Sequence, residues 1–287
     1  MDKTLLGQVY KVSSNFYAVK LCDKIVKCNA RGVLKIKSNG ISVGDFVKVN
    51  KTTIESVEER KNNFIRPNVS NIDVIVAVFS SEPKPDFYLL DKLLVNAIKE
   101  DVQLILAINK SDIDNKLVEK IKKEYQALGV KVVSVSAKSG EGVDELMSLI
   151  KGKLAVLAGQ SAVGKTSLVN KMFGLELKTG ELSDKIARGK HTTTRSEIFE
   201  YGDYKIIDSP GFAVIDADVS IQELPECYLD YQEYSLECKY RGCTHISEPQ
   251  CKVKEMVEKG ELSSERYQRY VEIYNEISKR RIIYEKD

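Results

Sequence analysis

A chain of 287 residues has room for two or three domains. With 30% charged residues, no tryptophan and no apolar run near eighteen residues, the composition excludes a membrane-spanning helix and reads as a soluble protein without a membrane partner. The net charge of +2 conceals a segregation, because residues 1–65 hold twelve Lys and Arg against six Asp and Glu, net +6. That is a modest electrostatic footprint for RNA, and a solvated lysine-rich surface would give the same count.

Met1-Asp2-Lys3-Thr4 runs into strand-like sequence with no signal-peptide apolar region, so a cytoplasmic setting is expected. Apolar and polar residues then alternate in short runs: Gly7–Tyr10, Tyr17–Leu21, Ile25–Cys28, Val33–Ile36 and Asp45–Asn50. Short strands with glycine-bearing turns predict a small antiparallel β-barrel, an OB-fold or an SH3-like barrel. OB-folds commonly bind nucleic acid along strand faces, although fold alone does not dictate function. Arg66-Pro67 opens a linker.

From Ile72 onward strands and helices alternate, which predicts a doubly wound parallel sheet. Ile72–Phe79 reads as a buried strand, Asp86–Lys99 as an amphipathic helix and Val102–Ile108 as a second buried strand. The latter ends in Asn109-Lys110-Ser111-Asp112. Ligands gather at the C-terminal ends of parallel strands, and an Asp112 carboxylate there would accept from guanine N1–H and the exocyclic amine. Adenine would leave it unpaired, a discrimination of roughly 10⁴–10⁵. Asn109, Lys110 and Asp112 are therefore candidate GTP-binding residues. A helix over Lys116–Leu128 and a strand over Val130–Val135 lead to Ser136-Ala137-Lys138, which resembles the loop whose backbone meets guanine O6. Alone it would be a polar turn; one β-α unit after the first motif, it is a second guanine contact.

After a helix over Gly142–Ile150 and a strand over Leu154–Ala158 comes Gly159-Gln160-Ser161-Ala162-Val163-Gly164-Lys165-Thr166, followed by Ser167 in the helical stretch Thr166–Met172. This fits G-x-x-x-x-G-K-[ST] at every fixed position and in the right context. The loop amides would curl around phosphates, Lys165 would reach the β- and γ-phosphates, and the Thr166 hydroxyl would ligate Mg²⁺. Further on, Thr192-Thr193-Thr194 matches switch I, and Asp208-Ser209-Pro210-Gly211, after the strand Tyr204–Ile207, matches switch II. Thr193 and Asp208 would complete the magnesium shell, and the Gly211 amide would sense the γ-phosphate.

Phe212 stands where many GTPases carry a water-orienting glutamine, and a phenyl ring has no group for that task. His191, one of two histidines, lies two residues before Thr193. Its imidazole can hold a water near neutral pH, which makes it the catalytic candidate; a lone loop histidine can equally be a solvated side chain.

The other histidine joins Cys238, Cys243 and Cys251 in the spacing C-x₄-C-x-H-x₅-C. Four soft ligands within fourteen residues suffice for a tetrahedral structural zinc site, and clustered cysteines in a cytosolic chain point to metal rather than disulfides. Cys22, Cys28 and Cys227 lack such spacing. Helices are expected over Lys252–Lys259 and Ser263–Lys279. The segment from about Ile221 has few core residues of its own, so zinc would supply much of its folding energy. Tyr240, Arg241, Lys252, Lys254, Arg280 and Arg281 are candidate RNA contacts, nearly balanced by acidic residues.

The motifs run in the order Asn109, Ser136, Gly159, Thr193, Asp208, whereas ordinary GTPases place the phosphate loop first. Such circular permutation keeps every strand end on one pocket while moving the termini. With the Gly189-Lys190-His191-Thr192-Thr193 segment and the cysteine cluster, the permuted order resembles the RsgA (YjeQ) family of small-ribosomal-subunit-dependent GTPases over nearly the whole chain. The resemblance implies three parts: an N-terminal OB-fold at 1–65, a circularly permuted α/β P-loop GTPase domain at 66–218 and a mostly helical zinc-binding domain at 219–287. It further implies binding to the 30S subunit and its 16S rRNA, late in assembly, with GTP hydrolysed to GDP on docking, and it supports His191 as the catalytic group. A monomer is expected. Two rivals are a GTP-dependent signalling module whose barrel contacts protein, and a P-loop kinase or ATPase, which Asn109 and Asp112 disfavour.

Overall fold

The computed structural model describes residues 4–32, 34, 40–65, 67–113, 115–176, 196–208, 212 and 215–284. Its strands are β1 (Leu5–Val12), β2 (Tyr17–Leu21), β3 (Lys24–Ala30), β4 (Phe46–Asn50), β5 (Thr53–Val57), β6 (Asn63–Phe64), β7 (Val69–Ser70), β8 (Val74–Phe79), β9 (Gln103–Ile108), β10 (Lys131–Ser134), β11 (Leu154–Ala158), β12 (Glu197–Tyr201) and β13 (Tyr204–Asp208). Helices are α1 (Phe87–Lys99), α2 (Asn115–Tyr125), α3 (Val143–Ile150), α4 (Lys165–Phe173), α5 (Gln232–Ser235), α6 (Lys252–Glu258) and α7 (Ser264–Tyr284).

The first five strands close a barrel in the order β1-β2-β3-β5-β4, with β4 returning to β1 and β3 parallel to β5 at Asn29 and Thr53. That five-stranded order is an OB-fold. Val9, Val19, Val47, Val49 and Ile54 alternate inward and fill it. One expected strand is corrected. Of Val33–Ile36 the described residue, Leu34, is helical rather than extended, its N–H donating back to Arg31 O at 3.0 Å. The β5 strand, polar on its outer face, was not foreseen.

The central sheet runs β10-β9-β8-β11-β13 in parallel, with β12 antiparallel at its edge. Every residue of β8 and β11 is buried, as expected of strands covered on both faces. Ile75, Ala77 and Phe79 pack on the α1 side with Leu90 and Leu93. Val74, Val76 and Val78 pack on the α3 and α4 side with Leu146, Leu168 and Val169. α1 begins at Asp86, whose carboxylate accepts from Leu89 N at 2.9 Å and caps the helix. The C-terminal region is built on Tyr228, Tyr231 and Tyr270, whose ring centroids lie 4.8–5.4 Å apart.

Candidate nucleotide pocket and metal centre

Because β8, β9, β10 and β11 are parallel, their C-terminal ends share one edge, and the motifs at 109–112, 136–138 and 159–166 meet there. Asn109 is the tie. Its buried carboxamide donates to Val163 O at 2.9 Å and accepts from Ala137 N at 3.1 Å, so one side chain joins all three strings. Lys110 holds a left-handed backbone (φ 60°). Its ammonium donates to Ala162 O at 3.2 Å and Glu82 O at 2.5 Å. The Ser136 hydroxyl donates to Asp112 Oδ1 at 2.8 Å and accepts from Ser139 N at 3.1 Å. One carboxylate oxygen of Asp112 is thereby fixed in direction.

The phosphate-binding string needs its glycines. At Gly159 (φ 128°) a Cβ would lie 2.2 Å from Val78 O, and at Gly164 (φ 91°) 2.5 Å from Asn109 Nδ2. Lys165 Nζ donates to Gly159 O at 2.7 Å and Gln160 O at 2.6 Å, spanning the loop mouth. Thr166 and Ser167 lie in the first turn of α4. Gln160, a variable position of the string, acts as a bracket: its amide donates to Lys84 O at 3.1 Å and accepts from Asp86 N at 3.0 Å. No motif would have flagged that contact.

β13 ends at Asp208, in register with Glu197 of β12. Phe212 is fully buried, its ring 5.7 Å from that of Phe64, in the core shared with Ile198 and Ile215. The ring packs into the protein interior. His191, Thr193, Gly211 and the Asp208 side chain lie outside the described residues.

In the C-terminal region the ligand atoms of Cys238, Cys243, His245 and Cys251 all lie within 4.8 Å of one another, a cluster that could hold a metal ion. His245 Nδ1 faces the sulfurs, 3.3 Å from Cys251 and 3.7 Å from Cys238, while Nε2 is 3.0 Å from the Ser235 hydroxyl. This division of the ring between ligand atom and outer partner is how ligating histidines are oriented. The ligand loop is fastened from α7, where Tyr267 donates to His245 O at 2.6 Å and Tyr270 to Thr244 O at 2.5 Å. Burial, with Cys251 alongside, pushes the Cys243 thiol up to about 12. Burial also holds His245 below its ordinary value. Three crowded cysteine sulfurs and an imidazole are a poor packing unit alone but a complete tetrahedral donor set. Glu248 braces the loop, accepting from Thr244 N (2.8 Å), Thr244 Oγ1 (2.7 Å) and Ile246 N (3.0 Å).

The candidate RNA contacts divide. Arg280 donates to Ala217 O at 3.0 Å and Lys254 to Ile246 O at 3.1 Å, and Lys252 pairs with Glu255 at 3.3 Å, whereas Tyr240 and Arg241 are exposed.

Residues 57–218 match the family model of the RsgA GTPase, and residues 6–56 match that of the RsgA N-terminal domain. The chain belongs to the RsgA family. A protein named small ribosomal subunit biogenesis GTPase RsgA from Geobacillus sp. (strain WCH70) is 38% identical, covering 96% of this chain and 98% of that one. A relative of the same name from Clostridium botulinum (strain Eklund 17B / Type B) is 37% identical, covering 94% and 97%. Among solved structures, YjeQ from Thermotoga maritima is 32% identical with a TM-score of 0.79, covering 96% of this chain and 99% of that one. YloQ, described as a circularly permuted GTPase, is 31% identical with a TM-score of 0.75, covering 97% and 96%. These relatives and structures cover 94–97% of the chain, so the similarity extends over the metal cluster, which follows the matched GTPase region. Among the described residues no helix is long and apolar enough to cross a membrane.

Proposed function

We propose that this chain is a GTPase that binds the small ribosomal subunit late in its assembly, contacts 16S rRNA and hydrolyses GTP to GDP and phosphate when docked. The observation that carries the reading is Asn109, which joins the two guanine-reading motifs to the phosphate loop in one pocket although they run in permuted order. Relatives covering nearly the whole chain bear the corresponding name.

In this reading Asp112, held by Ser136, takes the guanine donors, Ala137 and Lys138 face its O6, and Lys110 flanks the base. Residues 159–167 wrap the phosphates, with Lys165 leaving its loop carbonyls for phosphate oxygens. Thr166, Thr193 and Asp208 would hold magnesium, which supplies charge neutralisation on the phosphates when bound. Gly211 reports the γ-phosphate. Phe212, buried against Phe64 and without a hydrogen-bonding group, leaves water positioning to His191. Zinc on Cys238, Cys243, His245 and Cys251 is structural. The functional parts are 1–65, 66–218 and 219–287, and the protein acts as a cytoplasmic monomer.

GTP, GDP and ATP competition against labelled GDP, followed by sedimentation with purified 30S subunits in each nucleotide, tests the assignment. GTP and GDP should compete, ATP should not, and co-sedimentation should depend on GTP. Displacement by equal ATP, or nucleotide-independent sedimentation, contradicts it. In single-turnover hydrolysis on 30S subunits, His191→Ala should lose most of the stimulated rate while retaining GTP affinity; a rate within about twofold of wild type removes His191 from the mechanism.

A further inference from the structure

The barrel and the GTPase sheet are one continuous eleven-stranded sheet, joined where β1 meets β12. Among the described residues the joint has a single backbone register pair, Lys11 with Glu197. Side chains supply the rest. Lys11 Nζ lies 2.5 Å from Glu197 Oε2, and Glu200 accepts from both the Tyr10 hydroxyl at 3.2 Å and the Lys20 ammonium. Lys205 of β13 also reaches Gln8 Oε1 at 3.4 Å. On the other side of β12, Glu197 is in register with Asp208. Lys11, Glu197 and Asp208 thus lie in line across three neighbouring strands, from the barrel to the end of β13.

β13 is paired with β11 on one side and with β12 on the other, and among the described residues β12 is the strand through which the barrel reaches it. The contact fixes β12 through charge pairs whose loss leaves the core below it intact, since Ile198 and Tyr10 remain buried in the shared apolar cluster. The charge pairs can therefore be removed without dismantling either domain.

We propose that Lys11, Tyr10 and Lys20 are positioning residues for the nucleotide pocket: through Glu197 and Glu200 they set where β13 delivers Asp208, so a load on the barrel and the nucleotide bound at the pocket act on each other. This rests on the assignment of Asp208 to the nucleotide site. Such coupling is reciprocal, so nucleotide must be felt at the barrel strand even without a ribosome.

The test is amide hydrogen exchange of residues 9–12 in the full chain with GDP and with a nonhydrolysable GTP analogue, with GDP affinity measured on the same samples. Wild type should show a rate difference of about fivefold between nucleotides, the lower end of ordinary coupling. Lys11→Glu with Lys20→Glu should abolish it, and adding Glu197→Lys with Glu200→Lys should restore it. Should the reversed-charge pair fold poorly, Lys11→Gln with Lys20→Gln removes the pairs without repulsion and should give the same loss. Intact GDP affinity with no difference in wild type, or with the full difference kept in the variants, overturns the inference alone. Absence of GDP affinity in wild type overturns the nucleotide assignment and the inference with it.

Discussion

The two regions flanking the GTPase sheet are attached by different physics. On the C-terminal side, Asp91 of α1 sits fully buried between Arg266 and Arg269 of α7, each at 2.5 Å, and also accepts from the Tyr125 hydroxyl at 2.9 Å. Asp230 and Glu124 complete the arginines at 3.1 and 2.6 Å, and the Tyr228 ring stacks under Arg266 at 4.5 Å. On the barrel side the seam pairs are half-exposed, as at Lys11 and Glu197. Its buried pair, Arg60 with Asp45 at 2.7 Å, lies within residues 1–65 and does not cross the seam. A desolvated charge must keep its partners, whereas a half-wet one can exchange them for water. The C-terminal region is accordingly fixed to α1 by desolvated charges, whereas the charge pairs of the barrel seam, above a shared apolar cluster, are ones that water can replace.

Stripping the metal gives the largest test of the rigid side. Apparent binding energies for structural zinc are on the order of 10 kcal/mol in small domains. Cys243→Ser should release close to one equivalent of zinc and melt α6 and α7, seen as lost helical circular dichroism. Elemental analysis finding no zinc in wild type would remove its premise. Asp91→Ala should follow, costing about 3–5 kcal/mol in urea unfolding because two buried guanidiniums lose their partner. Lys11→Ala, at the wetter joint, should cost no more than about 1 kcal/mol. Equal costs for these two variants would erase the distinction between the joints.

The smallest effect is with pH. The Lys20 hydrogen bond, working against burial, holds Glu200 below its ordinary value of 4.5. A lowered folded value means the stabilisation is fully present above 4.5 and fades as pH falls through the depressed value. The same bond raises Lys20 above 10.5, so its contribution is complete below that value and lost as pH rises through the raised one. The protection of the Lys11 amide, its exchange rate relative to the intrinsic rate at each pH, should stay flat between these limits and fall outside them. A fall near neutrality would point to another group.

What sequence disclosed depended on whether a function was contiguous. The phosphate loop, Asn109–Asp112 and the ligands from Cys238 to Cys251 are strings whose residue types must stand at fixed spacing, and the fold could be read from the strands they follow. Asp91, Arg266 and Arg269 form one site from positions far apart, each resembling an ordinary charge on a helix. Gln160 occupies a position its motif leaves free. β12, which carries no motif and is assigned no element from sequence, shows its place only once Lys11 is seen beside it. The OB-fold and SH3-like alternatives likewise separate only on pairing order, which no local pattern encodes.

Helix α1 is buried from Leu89 through Ala97 without a break, because Leu90 and Leu93 face the GTPase core while Val95 faces the C-terminal cluster. A chain shortened to end at 218 would present Val95, Tyr88 and Ile98 to water beside an Asp91 that has lost both arginines and keeps only the Tyr125 hydroxyl. Such a fragment would be prone to self-association, and measurements on it would describe an uncovered surface that the intact protein never shows.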